Sequence, residues 1–149
     1  MVSLSDPAVQ SYALYSTILA LKVLSMAFLT ARARFSKKVF ANEEDAVATT
    51  KGKVKYDDPD VERVRRAHRN DLENIPAFWI LGALYLTTGP AASTAANLFR
   101  AYTAGRLIHT FVYAIKPMPQ PARGIAFGVP LFIMIFMGFK VITFYASAL

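Results

Sequence analysis

Apolar residues fall in long blocks separated by short polar segments, most of them basic. From about Ala8 to Thr30 the chain is apolar except for Lys22, and a run of this length spans a bilayer core. Ser5-Asp6-Pro7 ahead of it predicts a helix start with proline in the first turn, and the helix is expected over residues 8–34. Arg32, Arg34, Lys37 and Lys38 mark a membrane exit. Residues 40–58 are polar and mixed in charge, with Asn42, Gly52 and Pro59 as breakers, and predict a surface loop. A second helix over 60–88 is charged in its first half and apolar in its second. Its apolar part, from Ile75 to Thr87, is too short to span alone, so several polar turns lie at membrane or headgroup depth. Pro76 inside it predicts a kink. Thr88-Gly89-Pro90 stops this helix, and a third runs over 94–115. The proline-rich loop from Lys116 to Pro121 cannot be helical. A fourth helix, 122–147, starts with Arg123 and is otherwise nearly all apolar. The pattern predicts one all-α domain over residues 1–149, an integral membrane four-helix bundle with antiparallel neighbours.

Composition sharpens this. Hydrophobic residues make up 54% of the chain, and their concentration in blocks favours a membrane protein over a greasy soluble one. A net charge of +7 suits nucleic acid or an anionic membrane surface; because the basic residues flank apolar blocks, the membrane is expected and nucleic acid is not. The absence of cysteine excludes zinc-finger spacing, structural disulfides and a thiol nucleophile, and no metal is expected. The first ten residues lack Lys and Arg, and the block after them is too long for a cleaved signal, so an uncleaved first span is expected. The first and third connections hold most of the basic residues. Both therefore face the cytoplasm, with both termini on the far side.

Candidate chemistry gathers at that cytoplasmic side. Arg66, Arg69, Asn70 and Glu73 share one face of the second helix, and Glu62 extends the stripe one turn back. Two guanidinium forks, an amide and a carboxylate suit a small zwitterion with several carboxylates; the alternative is a solvated face with intrahelical Glu–Arg pairs. Arg106, His109, Thr110 and Tyr113 form a second stripe on the third helix, either lining the same site or bonding across helices. Arg123 stands at a helix start, where a cation is unfavourable; it reads as facing an anionic ligand or as a positive-inside anchor. Asp45 reads as a solvated acid, His68 as structural because it points away from the Arg66 stripe, and Lys22 as facing other helices or snorkelling. Phe132, Phe136, Phe139 and Phe144 read as lipid-facing or as bundle packing.

VERVRRAHRNDLENI from Val61, GRLIHTFVY from Gly105 and PMPQPAR from Pro117, with ANEED and TTGP, resemble the MAPEG superfamily, the membrane-associated proteins of eicosanoid and glutathione metabolism. The similarity covers essentially the whole chain. It implies a homotrimer of four-helix subunits in the endoplasmic reticulum membrane, with the mitochondrial outer membrane as a second location. Glutathione would bind between adjacent subunits on the cytosolic side. By resemblance Arg34, Arg66, Arg69, Asn70, Glu73, His109 and Tyr113 hold glutathione, Arg123 stabilises its thiolate, and Asp45 matches an acid that assists prostaglandin isomerisation. The wording is closer to the family's transferase branch. Gly124 and Phe127 replace a serine and a tyrosine of its prostaglandin E synthase branch, which removes hydroxyls from the thiol's neighbourhood. The expected activity is conjugation of glutathione to lipophilic electrophiles, with reduction of lipid hydroperoxides by the same thiolate. Alternatives are a glutathione-dependent prostaglandin E synthase, a non-catalytic lipid-binding scaffold, and a small transporter or channel.

Overall fold

The computed structural model describes residues 3–148; Met1 and Val2, which begin the expected polar lead, and Leu149 lie outside the described residues. Helix α1 is Pro7–Lys37, longer than expected at its C-terminal end. Asp6 caps it by accepting from Ala8 N at 2.8 Å, with Pro7 directly behind the cap. It stops where Lys38 turns left-handed, at φ 56°. The same Asp-Pro device starts α3: Asp58 accepts from the amides of Asp60 (3.1 Å) and Val61 (3.2 Å) ahead of Pro59. Each cap satisfies first-turn N–H groups that have no partner inside the helix.

The segment between α1 and α3 is more ordered than its composition suggests. Strand β1 (Val39–Phe40) pairs in parallel with β2 (Lys53–Val54), and the five-residue helix α2 (Glu43–Val47) lies between them in the chain. Gly52 is required there, because a Cβ would lie 2.2 Å from Ala46 O.

Helix α3 is Pro59–Leu86 and runs through Pro76. Two tyrosine hydroxyls serve carbonyls around the proline: Tyr102 Oη donates to Asn74 O (3.0 Å) and Tyr12 Oη to Trp79 O (2.7 Å). Helix α4 is Ala92–Thr110 and passes into a π turn, Phe111–Ile115, closed by Lys116 N donating to Phe111 O at 2.8 Å. The expected third helix therefore changes pitch over its last turn. Helix α5 is Ala122–Tyr145, followed by a 3₁₀ turn, Ala146–Ala148. Helices α1 and α5 are each long and apolar enough to cross a membrane. Helices α3 and α4 are more polar, because α3 is charged through its first half and α4 carries Arg100 and Arg106.

Helix α1 packs against α3 and α4, and α5 packs against the same two. The inward face of α3 is Val61, Val64, Ala67, Asp71, Ile75, Phe78 and Gly82, at helical spacing. Phe78 stacks on Tyr102 with ring centroids 4.1 Å apart and meets Phe99 edge-on at 5.7 Å. At Gly105, α4 comes so close to α5 that a Cβ would lie 2.5 Å from Pro130 Cγ. Phe132, Phe139 and Phe144 point outward, 71%, 62% and 54% exposed.

Candidate functional site

The site rests on a buried charge network. Asp71 and Arg106 are fully buried and Lys22 nearly so. Asp71 accepts from Lys22 Nζ through one carboxylate oxygen and from Arg106 Nη2 through the other, the latter at 2.6 Å. The same Arg106 nitrogen donates to Asn70 Oδ1 at 2.8 Å. A carboxylate in the core is stable only when its lone pairs are taken up, and here cations from α1 and α4 do so. The network ties three helices together and fixes the Asn70 amide, whose oxygen is engaged and whose NH₂ group has no acceptor among the described residues. Arg106 thus bonds across helices, and Lys22 faces the bundle.

Outward of this network lies a polar cluster drawn from α3, the end of α4 and the start of α5. Arg66 Nε lies 3.4 Å from Tyr113 Oη. The Arg123 guanidinium carbon sits 5.6 Å from the Tyr113 ring centroid, within cation–π range. His109 stacks on Tyr113 at 5.4 Å and 26°, and Phe127 approaches His109 at 6.2 Å. Two atoms here, Arg123 Nε and His109 Nδ1, are buried with no hydrogen-bond partner among the described residues. Gln120 Oε1 accepts from Gly124 N at 3.0 Å, so a side chain caps the start of α5 beside Arg123.

Arg34 and Arg69 stand elsewhere. With Arg65 and His68 they line a groove of about 520 Å³ between α1 and α3. Arg34 Nη1 is buried there with no hydrogen-bond partner among the described residues. The groove and the cluster occupy adjoining sides of α3, with no hydrogen bond or ion pair joining them among the described residues. His68 does point away from Arg66, but into this basic groove.

Arg66, Arg69 and Glu73 are exposed on α3. They make no ion pair among the described residues, whereas Glu62 is drawn to Arg65 at 2.6 Å and Asp60 to Arg63 at 2.8 Å. Glu62 keeps its place one turn back on that face but is engaged by Arg65. Asp45 is exposed on α2, which packs only on β1 and β2; within one chain it is not brought to the other candidates. Asp71 is the residue that stripe reasoning passes over. Its signal was an acid in register with Val64, Ala67, Ile75 and Phe78, on the apolar face of α3.

Residues 12–143, which contain every candidate above, match the MAPEG family. The chain belongs to the MAPEG family. Among curated MAPEG relatives, human microsomal glutathione S-transferase 1 is 43% identical over 143 residues, covering 93% of this chain and 92% of the relative. The Mus musculus protein of that name is 41% identical over the same shares. Human prostaglandin E synthase is 40% identical over 124 residues, 83% of this chain and 81% of its own. The family is membrane-associated, which agrees with two helices able to cross a bilayer.

Proposed function

We propose that this MAPEG protein is a membrane glutathione transferase. It conjugates glutathione to lipophilic electrophiles and reduces lipid hydroperoxides with the same thiol. The observation that carries the reading is the Arg123–Tyr113–Arg66 cluster, in which the Arg123 Nε is buried with no hydrogen-bond partner among the described residues. A thiol with an ordinary pKa of about 8.5 is mostly protonated at neutral pH. A guanidinium beside it favours the thiolate, and low local dielectric strengthens that pairing. Arg123 supplies that charge. The exposed forks of Arg66 and Arg69, the carboxylate of Glu73 and the NH₂ group of Asn70 suit the carboxylates, amine and amide carbonyls of glutathione. His109 and Tyr113 complete its wall.

In conjugation the thiolate sulfur forms a bond to the electrophilic carbon, and the leaving group departs with its electron pair. In peroxide reduction the sulfur attacks the outer peroxide oxygen, the alcohol leaves after taking a proton, and a second glutathione converts the sulfenic acid to disulfide and water. Proximity and charge stabilisation account for the rate.

The four long helices form a transmembrane bundle, and three chains make the working unit in the endoplasmic reticulum membrane, or the mitochondrial outer membrane, with the site toward the cytosol. The trimer is supported by the division of the basic residues between two sides of α3. A tripeptide held by Arg34 as well as by Arg66 and Arg123 lies between one chain's α1–α3 groove and a neighbour's cluster. Asp45 reaches the site only from such a neighbouring chain.

The test is glutathione conjugation to 1-chloro-2,4-dinitrobenzene by the purified protein, with cumene hydroperoxide assayed beside it. Arg123→Ala is expected to lower kcat about a hundredfold at saturating glutathione. Full activity in that variant would remove Arg123 from the mechanism. A prostaglandin E synthase is the second reading, favoured by the 40% identity to that human enzyme. Against it stands Phe127, which presents no hydroxyl beside His109; turnover of a prostaglandin endoperoxide alone would move the assignment there. Glutathione binding without turnover on any substrate would leave the lipid-binding scaffold.

A further inference from the structure

A second groove system lies on the opposite side of α1 and shares only Lys22 with the charge network above. Along α1, Lys22, Ser25, Leu29, Arg32 and Ser36 form one stripe at helical spacing. The stripe lining the basic groove, Ala27, Ala31 and Arg34, is on the other face. Two cavities open along the first stripe and adjoin, sharing Leu29, Arg32 and Ile115 in their walls. The deeper one, about 390 Å³, is walled by Met26, Phe28, Leu29, Leu107 and Ile115. The outer one, about 270 Å³, is ringed by Arg32, Ser36, Lys37, Asp60 and Arg63. The π turn sets Ala114 and Ile115 into its wall. From Lys22 to Ser36 the trough runs about 21 Å at 1.5 Å per residue.

Its two ends differ in chemistry. The deep end is mainly apolar, with Lys22, Ser25 and Thr110 also on its wall, and is open to the side of the bundle, with Phe28 78% exposed and Leu107 45% exposed. Such a surface is stable where hydrocarbon covers it. The outer end sits where α1 leaves its apolar run. It holds three cations against one carboxylate, because Asp60 serves both Lys37 (2.5 Å) and Arg63 (2.8 Å). Arg32 has no ion-pair partner among the described residues. A guanidinium fork at that depth, beside a serine hydroxyl and a second arginine, matches a phosphate ester.

We propose that this trough binds one anionic phospholipid per chain, its phosphate on Arg32 and Arg63 and one acyl chain along Leu29, Phe28 and Leu107. The site is independent of the residues assigned to glutathione and stands whether or not that assignment does. Charge complementarity selects the headgroup, and trough length selects an acyl chain over a short amphiphile.

The test is native mass spectrometry of the detergent-purified protein titrated with dioleoylphosphatidylglycerol, dioleoylphosphatidylcholine or oleate. One phosphatidylglycerol per chain is expected to be held at least tenfold more tightly than phosphatidylcholine. Arg32→Gln with Arg63→Gln should weaken it about thirtyfold, roughly a factor of five for each charge lost near the headgroup layer. Leu29→Trp, which fills the trough without touching a charge, should weaken it as well. Equal retention of the two phospholipids, or unchanged retention in both variants, would overturn the site. Displacement of phosphatidylglycerol by an equal concentration of oleate would make it a fatty-acid site and overturn the phospholipid assignment. If neither variant folds, the competition among the three ligands on the unaltered chain decides.

Discussion

Neutralising Asp71 is expected to be the most damaging change of charge in the bundle. Its core holds two cations and one anion, Lys22, Arg106 and Asp71, on α1, α4 and α3. The intact network carries one net positive charge. Asp71→Asn raises that to two and leaves both cations without a carboxylate. Lys22→Met lowers it to zero and keeps the Asp71–Arg106 bond of 2.6 Å. Arg106→Met also lowers it to zero, but strips Asn70 Oδ1 of its donor. Removing one partner of a buried pair costs about 3–5 kcal/mol, whereas replacing charge with well-packed apolar volume is often neutral or stabilising. An acceptor left bare adds about 1–3 kcal/mol. The expected order of destabilisation is Asp71→Asn, then Arg106→Met, then Lys22→Met, the last close to the wild type. Thermal unfolding in detergent, followed by circular dichroism, reads this order. At roughly 2–4 °C per kcal/mol for a chain of this size, Asp71→Asn should fall by about 10 °C and Lys22→Met by a few degrees at most. A Lys22→Met loss equal to that of Asp71→Asn would refute the charge balance. Arg106→Lys separates fold from function: the charge stays, the fork is lost, and KM for glutathione should rise more than the melting temperature falls.

Gly105→Ala should destabilise by about 1–3 kcal/mol through overpacking, because Pro130 occupies the position of the new methyl; an unchanged melting temperature would mean that α4 and α5 can part freely. Gly89 has φ 68° with open space around it, so Gly89→Ala should cost about 1 kcal/mol from backbone strain alone and Gly89→Asn less. At the surface, the hydrogen bond from Lys37 and then that from Arg63 hold the Asp60 carboxyl below its usual range, while Asp60 raises Lys37. A depressed acid stabilises above its unfolded pKa of about 4, and that contribution is lost as pH falls through the folded value. A raised lysine stabilises below about 10, and its contribution is lost as pH rises through the folded value. The stability difference between wild type and Asp60→Asn should therefore be flat from about pH 5 to 9 and shrink outside it; a slope across neutral pH would implicate another group.

What was legible in the sequence follows from what each signal encodes. Apolar run length, Asp-Pro starts and the proline-rich loop are local features, and the four long helices they predict are present within a few residues of their expected ends. The π turn was not legible, because a change of hydrogen-bond step from four to five leaves the apolar pattern almost unaltered. Nor was the pairing of β1 with β2, whose two-residue strands are too short to show alternation. Among the polar residues, spacing identified neighbours on one helix but not partners across helices. Arg106 and His109 look equivalent along α4. In the structure one is locked to Asp71 and Asn70, and the other stacks on Tyr113.

The stripe on α3 carries a further consequence. A single face was expected to hold Arg66, Arg69, Asn70 and Glu73 toward one ligand. Within one chain three of them already differ in surroundings: Asn70 bonds to Arg106 in the core, Arg66 to Tyr113, and Arg69 lines the α1–α3 groove with Arg34. Elements of one chain fill only part of the space around such a fan of polar groups, because α1 and α5 close the bundle on either side of α3. In the proposed trimer, a ligand that engages Arg34 and Arg123 together is held between two chains. Mixing Arg34→Ala chains with Arg123→Ala chains tests this. Restored turnover in the mixture, when each variant alone is inactive, requires a site built across the interface, and its absence would confine the site to one chain.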